Sequence, residues 1–372
     1  MKKVLFSSLI VISSLIFANG SYAMETDNFM AWNKEIKDSV DIVNEIMNGN
    51  IEKSLTKINS GAPIEACWKV AFKVGLSFNQ GVESKITGLL RKDSRVDLYP
   101  HLSQYKYWKS SIYRKIPLDI KVAKTLNLNG IHLGTDKIDH FVGIGYLYYL
   151  IFLKEMNYLS NKENQNEQDS VVKLANDLIK SSKYDEMKNL VAENVVSTAG
   201  PANSPANYSA NTNEEKLTEI IKKLIRFGLF TERYPVGRQT LGILSFGDVE
   251  ADFQGFNFYY RMCNGDDPYL KKDEVGDWYW TQPLDMREYV NPNLDETYNL
   301  SIINPNKMNK IVPYLKKYCS KRTDPKVVER MEQYKKIDNP SFSVEYVREL
   351  LRSDENAETS PYSFTGICRS LN

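Results

Sequence analysis

The stretch GIHLGTDKIDHFVGIGYLYYLIFL, residues 130–153, decides how this chain is read. Gly134 and Thr135 punctuate it, and Thr135 is placed to cap a helix. From Asp136 onward the spacing is helical. Residues 141–153 are apolar or aromatic on every face, which puts that part in the core. Yet Asp136 and His140 stand one turn apart, with Lys137 beside them. Buried charges need partners, so other ionisable groups must converge on this helix.

The complement lies in SFGDVEADFQGFNFYYRMC, residues 245–263. Ser245 is the expected N-cap, and Phe246–Cys263 the second core helix. Asp136, His140, Gly143 and Leu147 share one stripe of the first helix; Asp248, Asp252, Gly255 and Tyr259 share one stripe of the second. Each stripe carries two potential ligands and then a glycine, where another helix can approach closely. If the stripes face each other, three Asp and one His converge, with Lys137, Glu232, Arg238 and Glu250 as possible neighbours. Such an oxygen-rich set with one imidazole suits a divalent ion or acid–base work, making Asp136, His140, Asp248 and Asp252 the candidate metal or catalytic residues. A plainer reading competes. Ser245-x-x-Asp248 fits a capping box, and Asp136 near a helix start is favoured by the helix dipole. Asp252 and His140 lie one turn further in, beyond capping. A buried pair there that fixes helix register is a common non-catalytic outcome.

The two motifs, DKIDHF at 136–141 and SFGDVEADFQG at 245–255, resemble the DKxxHF and SxxDxxANxxG pair of VanZ-like proteins and of a set of exported proteobacterial proteins. Asp136, Lys137, His140, Asp248 and Gly255 match that pattern, and Asp252 replaces the usual Asn. The resemblance covers residues 130–262. It implies a pairing of two helices; VanZ-like proteins themselves are membrane helices associated with glycopeptide resistance, and this chain lacks their spanning segments.

Outward from this pair, helical spacing recurs at 29–59 (Phe29, Trp32, Ile36, Val40, Val43, Ile46), where Gly49 marks the stop, and across 64–90, 171–196 and 216–230. Short helices are expected at 309–319, 325–336 and 344–353. Residues 97–117 and 264–305 read as aromatic-rich connections, and the polar stretches near 160–170 and 197–215 as mobile surface insertions. Strand-like alternation is scarce. The expected architecture is mainly α: one large helical domain, residues 24–372, packed around two central helices with long polar and aromatic loops.

Residues 1–23 read as a bacterial export signal, with Lys2 and Lys3, an apolar run, and the small residues Ser21 and Ala23 before a cleavage point after Ala23. This predicts a periplasmic or secreted protein. Losing Lys2 and Lys3 takes the formal charge from +1 to −1, so net charge makes no case for nucleic acid. No later run reaches the roughly 18 apolar residues a spanning helix needs. Cys67, Cys263, Cys319 and Cys368 are widely spaced with no CxxC pair, which favours disulfides in an exported chain. The expected pairs are Cys263 with Cys319 and Cys67 with Cys368.

Three functions fit. The buried Asp/Lys/His network fixes the fold of an exported protein; or it holds a divalent ion in a hydrolase acting on envelope lipid or peptidoglycan fragments; or Trp278 and Trp280 in DWYWTQ dock an envelope glycan or lipid. GxSxG, HExxH, P-loop and dinucleotide fingerprints are all missing from the sequence.

Overall fold

The structure is a computed structural model and describes residues 22–78, 84–116, 120–156, 212–233, 242–265, 267–351 and 360–370. The expected export signal up to residue 21, the insertion near 160–170, the helix at 171–196 and Arg238 lie outside the described residues. So does most of the insertion at 197–215, whose last residues instead open a helix at Thr212.

In chain order, β1 (Tyr22–Thr26) leads to α1 (Asn28–Ala31), α2 (Val40–Asn59), α3 (Cys67–Phe78), α4 (Lys85–Leu90) and α5 (Gln104–Ser110). Strands β2 (Ile120–Ala123), β3 (Thr125–Leu128) and β4 (Ile131–Gly134) precede α6 (Thr135–Val142), α7 (Ile144–Glu155) and α8 (Thr212–Arg233). After β5 (Ile243–Leu244) come α9 (Phe246–Cys263), β6 (Leu270–Lys272), β7 (Trp278–Trp280) and β8 (Ile302–Ile303). The chain closes with α10 (Met308–Leu315), α11 (Pro325–Ile337), α12 (Phe342–Leu350) and α13 (Phe364–Arg369). It is mainly α. The strands pair only two by two: β1 with β2 in parallel, and β3–β4, β5–β8 and β6–β7 antiparallel.

Helix α9 is the axis. It packs most extensively on α6 and α7, with α3, α8, α12 and the 3-10 turn Pro292–Leu294 around it. The reason is composition: Val249, Phe253, Phe256, Phe258, Tyr259 and Met262 bury apolar faces all round the rod. The backbones approach closely at Gly255, against Phe141, and at Gly145. A Cβ on Gly255 would lie 2.0 Å from the Phe141 carbonyl oxygen, and one on Gly145 would lie 2.5 Å from the Gly255 Cα.

Several expectations are corrected in detail. The first core helix is not continuous: it breaks at Gly143 (φ −95°, ψ −69°) into α6 and α7, and Tyr259 donates to the Val142 carbonyl at the break, 2.8 Å away. At the crossing Gly255, the expected glycine of the second stripe, meets the Phe141 backbone, and Gly145 of α7 meets Gly255. The cap is Gly134 rather than Thr135, because the chain enters the helix straight from β4. Ahead of it, Asn129 (φ 55°) and Gly130 (φ 84°) form the tight turn of the β3–β4 hairpin, the left-handed pair such a turn demands. The segment 29–59 is two helices, not one, and the second runs through Gly49 to Asn59.

The disulfide pairing also differs. Cys67 joins Cys263, tying the start of α3 to the end of α9, and Cys319 joins Cys368. The helix packing brings these pairs together, a long-range fact that spacing cannot report. Two disulfides fit an oxidising compartment. No helix among the described residues is long and apolar enough to cross a membrane.

The crossing makes a paired expectation. Gly255→Ala forces a methyl into the Phe141 backbone and should destabilise the fold by roughly 3 kcal/mol or more. Gly49→Ala, whose Cβ meets nothing within 4 Å in an intact helix, should stabilise it by about 0.5–1 kcal/mol. Denaturant unfolding of the two variants checks both signs.

Candidate functional site

Helix spacing sets Asp136, Lys137 and His140 on α6 against Asp248 and Asp252 on α9. The Lys137 ammonium is fully buried among three carboxylates: it donates to Asp136 Oδ2 at 2.9 Å and Glu296 Oε1 at 2.7 Å, and Asp248 Oδ1 lies 2.7 Å away as an ion-pair partner. Asp136 Oδ1 accepts from Thr26 Oγ1 on β1 at 2.5 Å, and Glu296 Oε1 also accepts from Ser245 Oγ at 2.7 Å. Gly134 is required here. A Cβ on it would sit 1.7 Å from Thr26 Oγ1 and 1.9 Å from Asp136 Oδ1.

Next to this nest stands His140. Its Nδ1 lies 2.8 Å from Asp252 Oδ1, and its Nε2 lies 3.6 Å from Asp248 Oδ1. Asp252 thereby fixes the ring, and the free nitrogen faces Asp248. One ligand atom each from His140, Glu232 on α8 and Asp248 fall within 4.8 Å of one another. A second set, Glu25, Asp136, Asp248 and Glu296, is equally close, but Lys137 already sits among three of its members. Asp248 belongs to both groups. Ser245 caps α9 as expected, accepting from the Asp248 amide at 3.2 Å, but the Asp248 carboxylate goes to Lys137 and His140. Asp248 is therefore no mere cap.

The four principal predicted residues are thus together, with Lys137 and Glu232. Glu250 is elsewhere: it accepts from Gln254, Asn291, Ser341 and Ser343 in a separate cluster. Trp278 and Trp280 are far from a docking role. The Trp278 ring is buried and donates to the Ile64 carbonyl at 2.8 Å, while Trp280 packs on Tyr269 and Phe258. Glu25, Thr26 and Glu296 are additions from outside the motifs. Asp139, next along α6, accepts from Thr87 Oγ1 (2.6 Å) and the Ser84 amide (2.9 Å), and burial raises its carboxyl to about 6.

Charge is the notable property. Six buried carboxylates (Glu25, Asp136, Glu232, Asp248, Asp252 and Glu296) face two cations, Lys137 and His140, among the described residues. Burial and neighbouring acids push Glu25 and Glu232 well above the usual carboxylate range. Burial, then the Asp248 and Asp136 charges against the pull of Lys137, raise Glu296 to about 7; burial raises Asp252 to about 6. Burial acts the same way on Asp248, but His140 and Lys137 outweigh it and hold that carboxyl low. His140 is the converse: burial would strip its proton, but the Asp248 and Asp252 charges raise it well above an ordinary imidazole. Glu232 Oε2 and Asp252 Oδ2 are buried with no hydrogen-bond donor among the described residues. Such a set attracts protons or a cation.

Comparison with family models, curated proteins and solved structures returns no match, so the site speaks through its own geometry.

The pH dependence follows with its sign. The unfolded chain loses carboxyl protons near pH 4, whereas folded Asp252 and Glu296 keep theirs to about 6 and about 7. Between those values the folded state binds more protons, so stability falls as pH rises, by roughly 1.4 kcal/mol per pH unit for each retained proton. His140, raised when folded, adds to the same trend, its contribution being complete below about pH 6.5 and lost as pH climbs through its folded value. Chelator-treated protein should therefore melt higher at pH 5 than at pH 8, and a divalent cation should remove most of the difference. Melting curves in the two buffers, with and without the ion, decide it.

Proposed function

We propose that this chain is an exported, periplasmic helical protein built around one divalent-cation centre, held by His140, Glu232 and Asp248 and oriented by Asp252. The observation that carries the reading is the convergence of those three ligands on a buried surplus of carboxylates. Two ligands about 2.1 Å from one tetrahedral ion stand roughly 3.4 Å apart, close to the His140–Asp248 spacing of 3.6 Å. A ligating imidazole usually gives its other N–H to a carboxylate, as His140 does with Asp252. Compared with the expected set of Asp136, His140, Asp248 and Asp252, Glu232 is added, Asp136 is engaged by Lys137 and Thr26, and Asp252 orients His140 in place of ligating.

Three protein ligands leave a position for water, and the His140 side chain is 17% exposed, so the centre has a solvent side. Metal-assisted hydrolysis is the reaction class such a centre serves, with a bound water made acidic and a carbonyl or phosphoryl oxygen polarised. In an exported protein the substrate class we favour is an envelope lipid or peptidoglycan fragment. We also propose that the likeness to VanZ-like motifs reflects a shared helix pairing, since Asp136, Lys137, His140, Asp248 and Gly255 all stand at the α6–α9 contact.

Elemental analysis tests the centre. Purified protein should carry near one equivalent of a divalent metal, His140→Ala and Glu232→Gln should lose it, and Asp252→Asn should fold but bind roughly 10–100-fold more weakly. Wild-type protein that stays metal-free after reconstitution at pH 7.5 would leave the network a structural one.

A further inference from the structure

The chain as a whole is nearly neutral, with 48 Lys and Arg against 47 Asp and Glu. Its cations are not evenly spread. Residues 104–116 hold four Lys or Arg and no acid; residues 308–323 hold five and no acid. These segments are about 200 positions apart in sequence, yet the fold lays one on the other. Lys317 Nζ donates to the Ser110 carbonyl at 2.7 Å, and the Arg114 guanidinium stacks 4.6 Å from the centre of the Tyr314 ring. Beneath them the second apolar cluster (Tyr107, Ile112, Tyr113, Ile311, Leu315, Tyr318) glues α5 to α10 and to the 3-10 turn Lys316–Thr323.

Like charges brought together repel, and these do: burial, together with Arg114, lowers the Lys317 ammonium, and burial with Lys34 and Lys317 lowers Lys321. Acids nearby leave the face largely uncompensated. Asp27 is buried below and accepts from the Tyr318 hydroxyl, Asp324 is held by Asn33 and caps α11, and Glu35 is paired with Lys326. Lys106, Lys109, Lys316 and Arg322 remain exposed at the surface. Aromatic rings are set among them: Tyr105 is 59% exposed beside Lys109, with Trp108 half-buried against it.

We propose that this face, formed by α5 and the 308–323 segment, docks the protein on an anionic phospholipid surface. The partner follows from chemistry. Clustered Lys and Arg are attracted to anionic headgroups at a bilayer surface. Exposed Tyr105, with half-buried Trp108 against it, supplies the amphipathic rings that settle at headgroup depth, a feature that binding to a polyanion's backbone charge does not need. The face is independent of the His140 centre, so it stands or falls separately from the metal reading.

The test is co-sedimentation of the processed protein, recovered from the export compartment of its expression host, with vesicles. Vesicles of equal parts phosphatidylglycerol and phosphatidylcholine should bind it, phosphatidylcholine alone should not, and raised salt should weaken the binding. Lys109→Glu/Lys316→Glu/Arg322→Glu, all surface positions, should bind at least about tenfold more weakly. Lys53→Glu/Lys57→Glu/Lys92→Glu, which changes net charge equally at exposed positions on α2 and just after α4, elements that pack on a different apolar cluster, should bind as wild type. Tyr105→Ala should lose part of the affinity that survives high salt. Binding that persists in the first triple variant, equal loss in both triple variants, or binding to duplex DNA as tight as to the anionic vesicles would overturn the proposal.

Discussion

The structure hangs on one buried ammonium. Lys137 donates to Asp136 and Glu296 and ion-pairs with Asp248, residues that belong to α6, the turn after Pro292–Leu294 and α9. Through Asp136 it reaches Thr26 on β1, and through Glu296 it reaches the Ser245 cap of α9. Four separate stretches of chain are thereby fixed around one charge. A buried ion pair contributes little net stability against an apolar alternative, but removing one partner is costly because the others are left charged and dry. Register, more than stability, is what this arrangement provides.

One lysine cannot balance six carboxylates. His140 neutralises part of the remainder, held between Asp248 and Asp252, while Glu25, Glu232, Asp252 and Glu296 are all driven towards their protonated forms by burial. Nature has two means of relieving such a site at neutral pH, protons or a cation. The orientation of His140, with one nitrogen committed to Asp252 and the other directed at Asp248, supports the cation. The geometry is asymmetric: Lys137 occupies the β1 side, and the side facing α8 has the imidazole and the exposure. Chemistry would belong to the second side.

Parts of this were legible in sequence for local reasons. Ser245 and the apolar rod behind it define α9 to the residue, because capping and periodicity act within one turn. The stripes of Asp136/His140 and Asp248/Asp252 follow from helical geometry alone, while Glu232, a possible neighbour in the sequence, lies beyond the expected helix at 216–230 and joins the site because α8 runs on to Arg233. Glu25 and Glu296 were not. The first is delivered by a parallel strand pairing across nearly 100 residues, the second by a loop whose path depends on α9 being in place. The break at Gly143 leaves no mark in the sequence, because Phe141-Val142 before it and Ile144–Leu153 after it are continuously apolar. Trp278 looked like a ligand platform but fills the core under the β6–β7 hairpin, since an aromatic run says nothing about which face meets water. The basic face is invisible to net charge, being the product of two remote segments brought together.

The central claim is that a surplus of buried negative charge is held in place by Lys137, and Lys137→Met tests it most directly. Unfolding free energies of the variant and the wild type, measured in chelator at pH 7.5 and at pH 5, give the answer. The variant should be less stable by about 3–5 kcal/mol at pH 7.5, where the abandoned carboxylates are charged. The deficit should shrink at pH 5, as Glu296 takes up its proton. Equal stability of the two proteins at pH 7.5, or a deficit that does not change with pH, would contradict the account.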